Sequence, residues 1–436
     1  MRSIFTVFIG LLFLQVRAQS LYFPPNSGDW EAVDPGSLGW CTDRVPPLYD
    51  YLEATNSKGF VVLKNGKIVL EKYFGTFTRD SSWYWASAGK SLTAFVIGVA
   101  QQKGLLSIED RVSKYLGAGW TSCTQEQEDR ILIRHLLTMT SGLDDGVGDQ
   151  FCNRPECLLY KADAGTRWAY HTGVYSLLPD IIEKITGQNI NVFLALNIAN
   201  PAGMKGLWTS SSYGELYFTN IRSMARYGLL ILNRGSWAGN DLLKDPVYYN
   251  AMVNTSQPLN QSYGYLWWLN GKGSFKLPGL QLDFPGSLIP AAPQDMFAAL
   301  GKNGQILCVI PSQNLVLVRM GESPDGSGDL VTPAYLRTVF EYFNEVACMT
   351  NAVDDIMTNV IQTGPNPVRD LLRWRWPENG QDRGWVEIFD DRGVLVRRVR
   401  WTRDEVETGD LQPSSYLLVL KDNKGRIVYR DRFAKI

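Results

Sequence analysis

One stretch, Trp83-Tyr-Trp-Ala-Ser-Ala-Gly-Lys-Ser-Leu-Thr-Ala-Phe-Val-Ile-Gly98, constrains this chain more than any other. Leu92, Phe95, Val96, Val99 and Ala100 recur at helical spacing and predict a buried helix starting near Ser87. Ser87 and Lys90 stand three apart on it, so a hydroxyl and an amine share one face about a turn apart. A serine hydroxyl becomes a good nucleophile when a neighbour takes its proton. A lysine in an apolar site suits that task, because burial lowers its pKa toward neutrality. The bland reading is a solvated surface pair, since Ser-x-x-Lys arises by chance about once in a chain of this size. Against it, Ser87 is the one serine with a lysine three residues on, and that lysine sits in an apolar helix where an unpaired charge is costly.

Other nucleophilic chemistry has little to work with. The chain has two histidines, His135 and His171, and no Gly-x-Ser-x-Gly elbow for a Ser-His-Asp hydrolase. It has no His-x-x-x-His or Cys-x-x-Cys pattern and no phosphate loop or dinucleotide fingerprint, so neither a metal nor a cofactor is expected. The formal charge of −1 argues against nucleic acid or an anionic membrane surface as partner.

At 436 residues the chain suggests two or three domains. Residues 1–18 read as a cleaved secretory signal, with a positive start, an apolar run too short to span a bilayer and small residues before Ala18. An exported chain permits disulfides; six cysteines allow fifteen pairings. Cys152 and Cys157 suit a local loop-closing bridge, Cys308 in an apolar strand suits a buried thiol equally well, and Cys41, Cys123 and Cys348 stay unassigned.

Leu48 to Ala54 looks helical, and Gly59 to Phe74 reads as two strands around Asn65-Gly66, a hairpin signal. From Leu106 to Arg234 the pattern is mostly helical, with a short helix ending in a turn over 131–143 and helices over 175–186 and 221–233. Strands resume at Tyr263–Leu269, Met296–Ile310 and Leu315–Met320, and Val331 to Met349 is an amphipathic helix. After a linker over 351–365, residues 366–436 carry 15 Lys/Arg and 12 Asp/Glu and alternate apolar with charged residues in five short runs. The fold class expected is α+β, a three-layer α/β/α arrangement with an antiparallel sheet plus a helical insertion domain, followed by a small all-β sandwich.

Four pieces in order carry a resemblance. They are Ser87-Ala-Gly-Lys90, His135-Leu-Leu-Thr-Met-Thr-Ser-Gly-Leu143, Ala164-Gly-Thr-Arg-Trp-Ala-Tyr-His-Thr172 and Lys302-Asn-Gly304. Residues 45 to about 350, within a domain set at 19–350, thus resemble the serine β-lactamase and penicillin-binding protein superfamily, on the side of class C enzymes, serine esterases and nylon-oligomer hydrolases. The resemblance implies that Ser87 is acylated by a small-molecule acyl substrate, that Lys90 is its base or proton relay and that Tyr170 assists. It implies an oxyanion hole from the backbone N–H groups of Ser87 and Gln305, with Thr172 and Lys302-Asn303-Gly304 contacting substrate. Thr172 replaces the asparagine of the family's Tyr-x-Asn element and Met139 the histidine of its His-Thr-Ser-Gly piece, which bears on substrate class. Trp83, Trp85, Trp168, Tyr265, Trp267 and Trp268 are candidate pocket aromatics, although most such residues are core.

Asn366-Pro-Val, Val386-Glu-Ile-Phe-Asp-Asp-Arg-Gly393, Ser415-Tyr-Leu-Leu-Val-Leu420 and Arg432-Phe-Ala-Lys435 make residues 366–436 resemble the sorting domain of type IX secretion substrates. That implies the type IX machinery as a partner, a Gram-negative host of the Bacteroidetes type, and an extracellular or cell-surface destination without stable membrane insertion. A carbohydrate- or protein-binding sandwich fits the same pattern. For the main domain the alternatives are a β-lactamase or D-Ala-D-Ala carboxypeptidase, and a silent homologue that binds peptidoglycan or a partner.

Overall fold

The structure, a computed structural model, describes residues 21–211, 214–324, 326, 330–349, 363–364, 368–374, 383–390, 393–425 and 427–435. The expected signal at 1–18, most of the linker, and Asn366, Pro367, Asp391 and Arg392 of the sorting resemblance lie outside the described residues.

Helix α1 (Val45–Ala54) leads into strands β1 (Ser57–Lys64) and β2 (Lys67–Tyr73). Asn65 and Gly66 both have positive φ, 52° and 84°, as a tight hairpin turn with the right-handed twist requires. Helix α2 (Gly89–Gln102) follows, then a helical region interrupted by the hairpin β3 (Leu207–Ser211) and β4 (Gly214–Thr219). Helix α3 (Ile221–Leu232) precedes strands β5 (Trp268–Leu269), β6 (Phe297–Gly301), β7 (Gln305–Ile310) and β8 (Leu315–Gly321), and helix α4 (Pro333–Val346) ends this part.

The central sheet runs β2-β1-β8-β7-β6-β5, antiparallel throughout. Side chains of a strand alternate between faces, so Val316 and Arg319 of β8 point to opposite sides. On Val316's side lies α3, whose Gly228 approaches so closely that a Cβ there would meet Val316 and Leu307 at 2.5 and 2.7 Å. On the other side Arg319 lies 5.2 Å from the Tyr335 ring of α4. Helices therefore cover both faces, the three layers expected. The Cys41–Cys348 disulfide closes 307 residues of chain and ties the two ends of this unit together.

Several expectations need correction in detail. The run Met296–Ile310 is two strands, because Asn303 takes φ 64° and turns the chain between β6 and β7. Tyr263–Leu269 is a strand only at Trp268–Leu269, since Leu266 sits at φ 61°. The short helix within 131–143 covers only Ile133–Leu137, and it gives way to the expected turn, where Met139 takes φ 58°. The hairpin β3–β4, inside the region read as helical, went unforeseen.

In the C-terminal unit, Thr363–Gly364, Leu371–Trp374 and Glu405–Glu407 form one antiparallel sheet. Leu395–Arg400, Trp385–Phe389, Ser414–Lys421 and Ile427–Lys435 form another. Val368, Leu372, Trp374, Val386, Ile388, Trp401, Leu418 and Leu420 make one apolar core, which is the small all-β unit expected. Among the described residues no helix is long and apolar enough to cross a membrane.

Candidate active site

The site is assembled where α2 meets the end of β6. Trp83 and Tyr84 pair with Thr219 and Phe218 of β4, which delivers the chain to a tight turn at Ala86–Ala88. Ala86 has φ 46°, a conformation unfavourable for an L-residue, so the turn before Ser87 is held by its surroundings. Those surroundings are β6. A Cβ on Gly301 would lie 2.4 Å from the Trp85 carbonyl, 2.9 Å from the Ala88 nitrogen and 3.1 Å from the Ser87 nitrogen. Only a glycine lets the strand come this close.

Lys90 occupies the first turn of α2, and its Nζ lies 3.1 Å from Ser87 Oγ. The side chain is buried, and desolvation pulls its pKa from 10.5 down to about 7. Aromatic faces supply the apolar walls, with Nζ 4.4 Å from the Tyr175 ring centroid and 5.2 Å from that of Tyr170. Tyr175 is fixed by a 2.9 Å hydrogen bond between its hydroxyl and Thr93 Oγ1.

Tyr170 reaches the same place from the other side. Ala169 N donates to Met139 O at 2.9 Å and Gly165 N to Thr140 O at 2.8 Å, so the turn at Met139–Gly142 positions the segment. Gly142, at φ 79°, lets Ala162 O come within 2.1 Å of where a Cβ would stand. The Tyr170 ring stacks on Trp268 with centroids 5.9 Å apart. Burial holds its hydroxyl well above the ordinary tyrosine pKa, and a hydrogen bond with Ser87 offsets part of that rise. His135 serves locally, its Nδ1 accepting from Leu132 N at 3.1 Å. His171 is buried with neither ring nitrogen hydrogen-bonded among the described residues.

Lys302–Gly304 is the turn between β6 and β7 rather than part of an edge strand. The buried guanidinium of Arg319 pins it, with Nη1 donating to the carbonyls of Asn303 at 2.6 Å and Gly304 at 3.0 Å. Asn303 Nδ2 donates to the Tyr84 hydroxyl at 2.7 Å, tying this turn to the strand that precedes Ser87. Gln305 is fully buried opposite Gly301, and its amide is spent on Gly321, Nε2 to the carbonyl at 2.6 Å and Oε1 from the N–H at 3.2 Å.

A cavity of about 480 Å³ opens over this arrangement and is lined by Ser87, Lys90, Thr172, Lys302 and Asn303. Tyr170 lies behind the lining; Gly304 and Gln305 do not reach it. Of the pocket aromatics expected, none lines this cavity. The wall comes from Tyr84, Tyr175, the unforeseen hairpin residues Trp208 and Phe218, and Asn153 of the Cys152–Cys157 loop. Asp180 and Glu215 bring negative charge to the same wall. Among the described residues no group of three or more His, Cys, Asp or Glu is placed to hold a metal.

A family profile described as Beta-lactamase matches residues 53–339. An uncharacterized protein of Alkalihalophilus pseudofirmus is 25% identical over 323 residues, 65% of this chain and 89% of its own. The octameric penicillin-binding protein homologue of Pyrococcus abyssi superposes with a TM-score of 0.51 at 15% identity, over 92% of this chain and 100% of its own. A family VIII carboxylesterase superposes with a TM-score of 0.51 at 15% identity, over 70% of this chain and 98% of its own. At such identities the two structures speak for the fold. The profile match spans well over half the chain and contains Ser87, Lys90, Tyr170 and the Lys302–Gly304 turn: this chain belongs to the beta-lactamase family.

Proposed function

We propose that this protein is a serine hydrolase that works through an acyl-enzyme on Ser87 and acts on small esters or amides. The observation that carries the reading is the Lys90 amine 3.1 Å from Ser87 Oγ, with a pKa drawn down to about 7. Burial favours the unprotonated amine, whose lone pair can take the hydroxyl proton as Oγ attacks the acyl carbon. Tyr170, in hydrogen-bond contact with Ser87, is the group to pass that proton to the leaving atom. Water then attacks the ester carbonyl, and the same groups run in reverse to free Ser87.

The developing oxyanion needs two fixed donors. The Ser87 N–H is one. For the second we favour the Lys302 N–H over that of Gln305: Lys302 follows Gly301, which abuts the Ser87 nitrogen, and it lines the cavity, whereas Gln305 does not.

Thr172 and the acidic wall bear on substrate. A hydroxyl is too short to hold an acylamino group as an asparagine would, and Asp180 and Glu215 repel a carboxylate placed near them. The first removes the family's hold on an acylamino group from position 172, and the second disfavours the carboxylate of a penicillin or a D-Ala-D-Ala stem, so a small uncharged ester or amide fits this cavity better. Residues 366–436 are proposed to act as a type IX secretion sorting domain; the separate apolar core and the closing strand at Ile427–Lys435 support that role.

A fluorophosphonate probe, with mass mapping of the modified peptide, tests the central claim. Labelling at Ser87, together with turnover of short p-nitrophenyl esters, is expected. Folded protein that takes no label would speak for a silent homologue. Turnover of nitrocefin or a D-Ala-D-Ala peptide about tenfold above the best ester, about 1.4 kcal/mol of transition-state preference, would overturn the substrate reading.

A further inference from the structure

Thr172 leaves a place in the cavity where its family carries a side-chain amide, and another part of the chain brings one to the same wall. Asn153 lies in the loop closed by the Cys152–Cys157 disulfide and lines the cavity with Ser87, Lys90 and Thr172. The loop is docked on the residue after Thr172. Gly173 N donates to Gln150 O at 2.8 Å, and a Cβ on Gly173 would lie 2.1 Å from Cys152 O. A side chain at 173 would push the loop away, so the glycine is what lets Asn153 stand beside Thr172.

The loop is braced on its far side as well. Cys157 N donates to Arg154 O at 2.9 Å, and Ser122 joins it through Oγ to Pro155 O at 2.6 Å and N–H to Leu158 O at 3.1 Å. Asn153 itself is half-buried, and among the described residues its amide makes no hydrogen bond. A braced loop that ends in an unspent donor and acceptor at the wall of a nucleophile's cavity is arranged to receive a ligand.

We propose that Asn153 is a specificity residue: its side-chain amide, held by the Cys152–Cys157 loop, binds a carbonyl or N–H on the acyl portion of the substrate. The inference rests on the hydrolase reading above and refines its substrate class, from any small acyl ester or amide to one bearing a polar amide two or three atoms from the scissile carbonyl. The acyl chain then runs from Ser87 past Thr172 to Asn153.

The test compares the p-nitrophenyl esters of N-acetylglycine and of butyric acid, which share a leaving group and differ in whether the acyl chain carries an amide. The native protein is expected to prefer the acetylglycine ester in kcat/KM. In Asn153→Ala that preference falls about tenfold, the scale of one lost hydrogen bond in a partly desolvated site. Adding Thr172→Asn to that variant restores part of it, because the amide returns from the family's usual position. The Cys152→Ser/Cys157→Ser variant loosens the loop and lowers the preference in the same direction. Melting temperatures of all variants show that each is folded. Equal loss on both esters would assign Asn153 to the loop's architecture alone, and an unchanged ratio would remove it from the substrate's path; either overturns the proposal. Absence of Ser87 labelling by a fluorophosphonate in the native protein would instead overturn the hydrolase reading, and this assignment with it.

Discussion

Replacing Lys90 with methionine is expected to stabilise the protein while silencing it. Lys90 is 4% exposed, and burial alone takes its pKa from 10.5 to about 7. At about 1.36 kcal/mol per pH unit, that drop is a cost of about 5 kcal/mol for carrying a lysine there. Methionine has a similar length and no charge to desolvate, but it loses the contact of Nζ over the Tyr175 ring at 4.4 Å. A net gain of about 2–4 kcal/mol near neutral pH is reasonable for such an exchange. In a unit of this size that raises Tm by about 4–8 °C.

The pH dependence gives the prediction its sharper edge. The folded amine loses its proton near pH 7 and the unfolded one near 10.5, so between those values the unfolded chain binds more protons. Native stability therefore rises with pH across that window. The advantage of Lys90→Met is complete below pH 7 and shrinks toward pH 10.5. Thermal unfolding of both proteins from about pH 6 to about pH 9.5 reads the difference directly. A variant no more stable than the native protein at the acid end, or an advantage that stays constant as pH rises, would mean that the amine is not held desolvated.

Gly301→Ala places a methyl group against the Trp85 carbonyl and the Ser87 nitrogen, so it should displace the turn that carries Ser87. Ester turnover is expected to fall about 100-fold, as misplacing a reacting group by about 1 Å does, and near-native rates would refute the tight approach of β6. Deleting residues 366–436 is expected to leave Ser87 labelling intact but to strand active protein in the periplasm of the native host. Equal extracellular activity with and without that segment would end the sorting proposal.

What could be read from the sequence was what short-range pattern encodes. Ser87 stands in the turn that leads directly into α2 and Lys90 in the first turn of that helix, so three residues of spacing were enough to bring Oγ and Nζ to 3.1 Å. The Asn65-Gly66 hairpin and the alternating strands of the C-terminal unit are likewise local signals. Tyr170 needed the resemblance as well, because nothing in its own neighbourhood says that Trp268, nearly one hundred residues away, will hold its ring against the serine. The Lys302–Gly304 piece shows the reverse case. Its likeness to an edge-strand element points one way and the Asn-Gly pair, a local turn signal, the other, and the positive φ of Asn303 settles which local rule applies.

The cavity was the least legible part, and the reason is physical. Its wall draws on the turn before α2, the loop at 151–153, the helix begun by Thr172, the hairpin at 207–219 and the turn at 302–303. The hairpin contributes seven residues and each of the other segments a few, so no single stretch has a pattern that announces a pocket. The groups that hold it in shape are further removed still. Arg319 looks like an ordinary strand residue in sequence, yet its buried guanidinium is what fixes the carbonyls of Asn303 and Gly304. A charge alternating within an apolar strand is the one local hint, since a buried arginine must find several acceptors. Position 172 follows the same logic. A substitution at one wall is felt as a change in what the neighbouring wall must supply, and the Cys152–Cys157 bridge places Asn153 where that demand falls. The two proposals together divide the work between a helix that would carry the chemistry and a stapled loop that would read the acyl group.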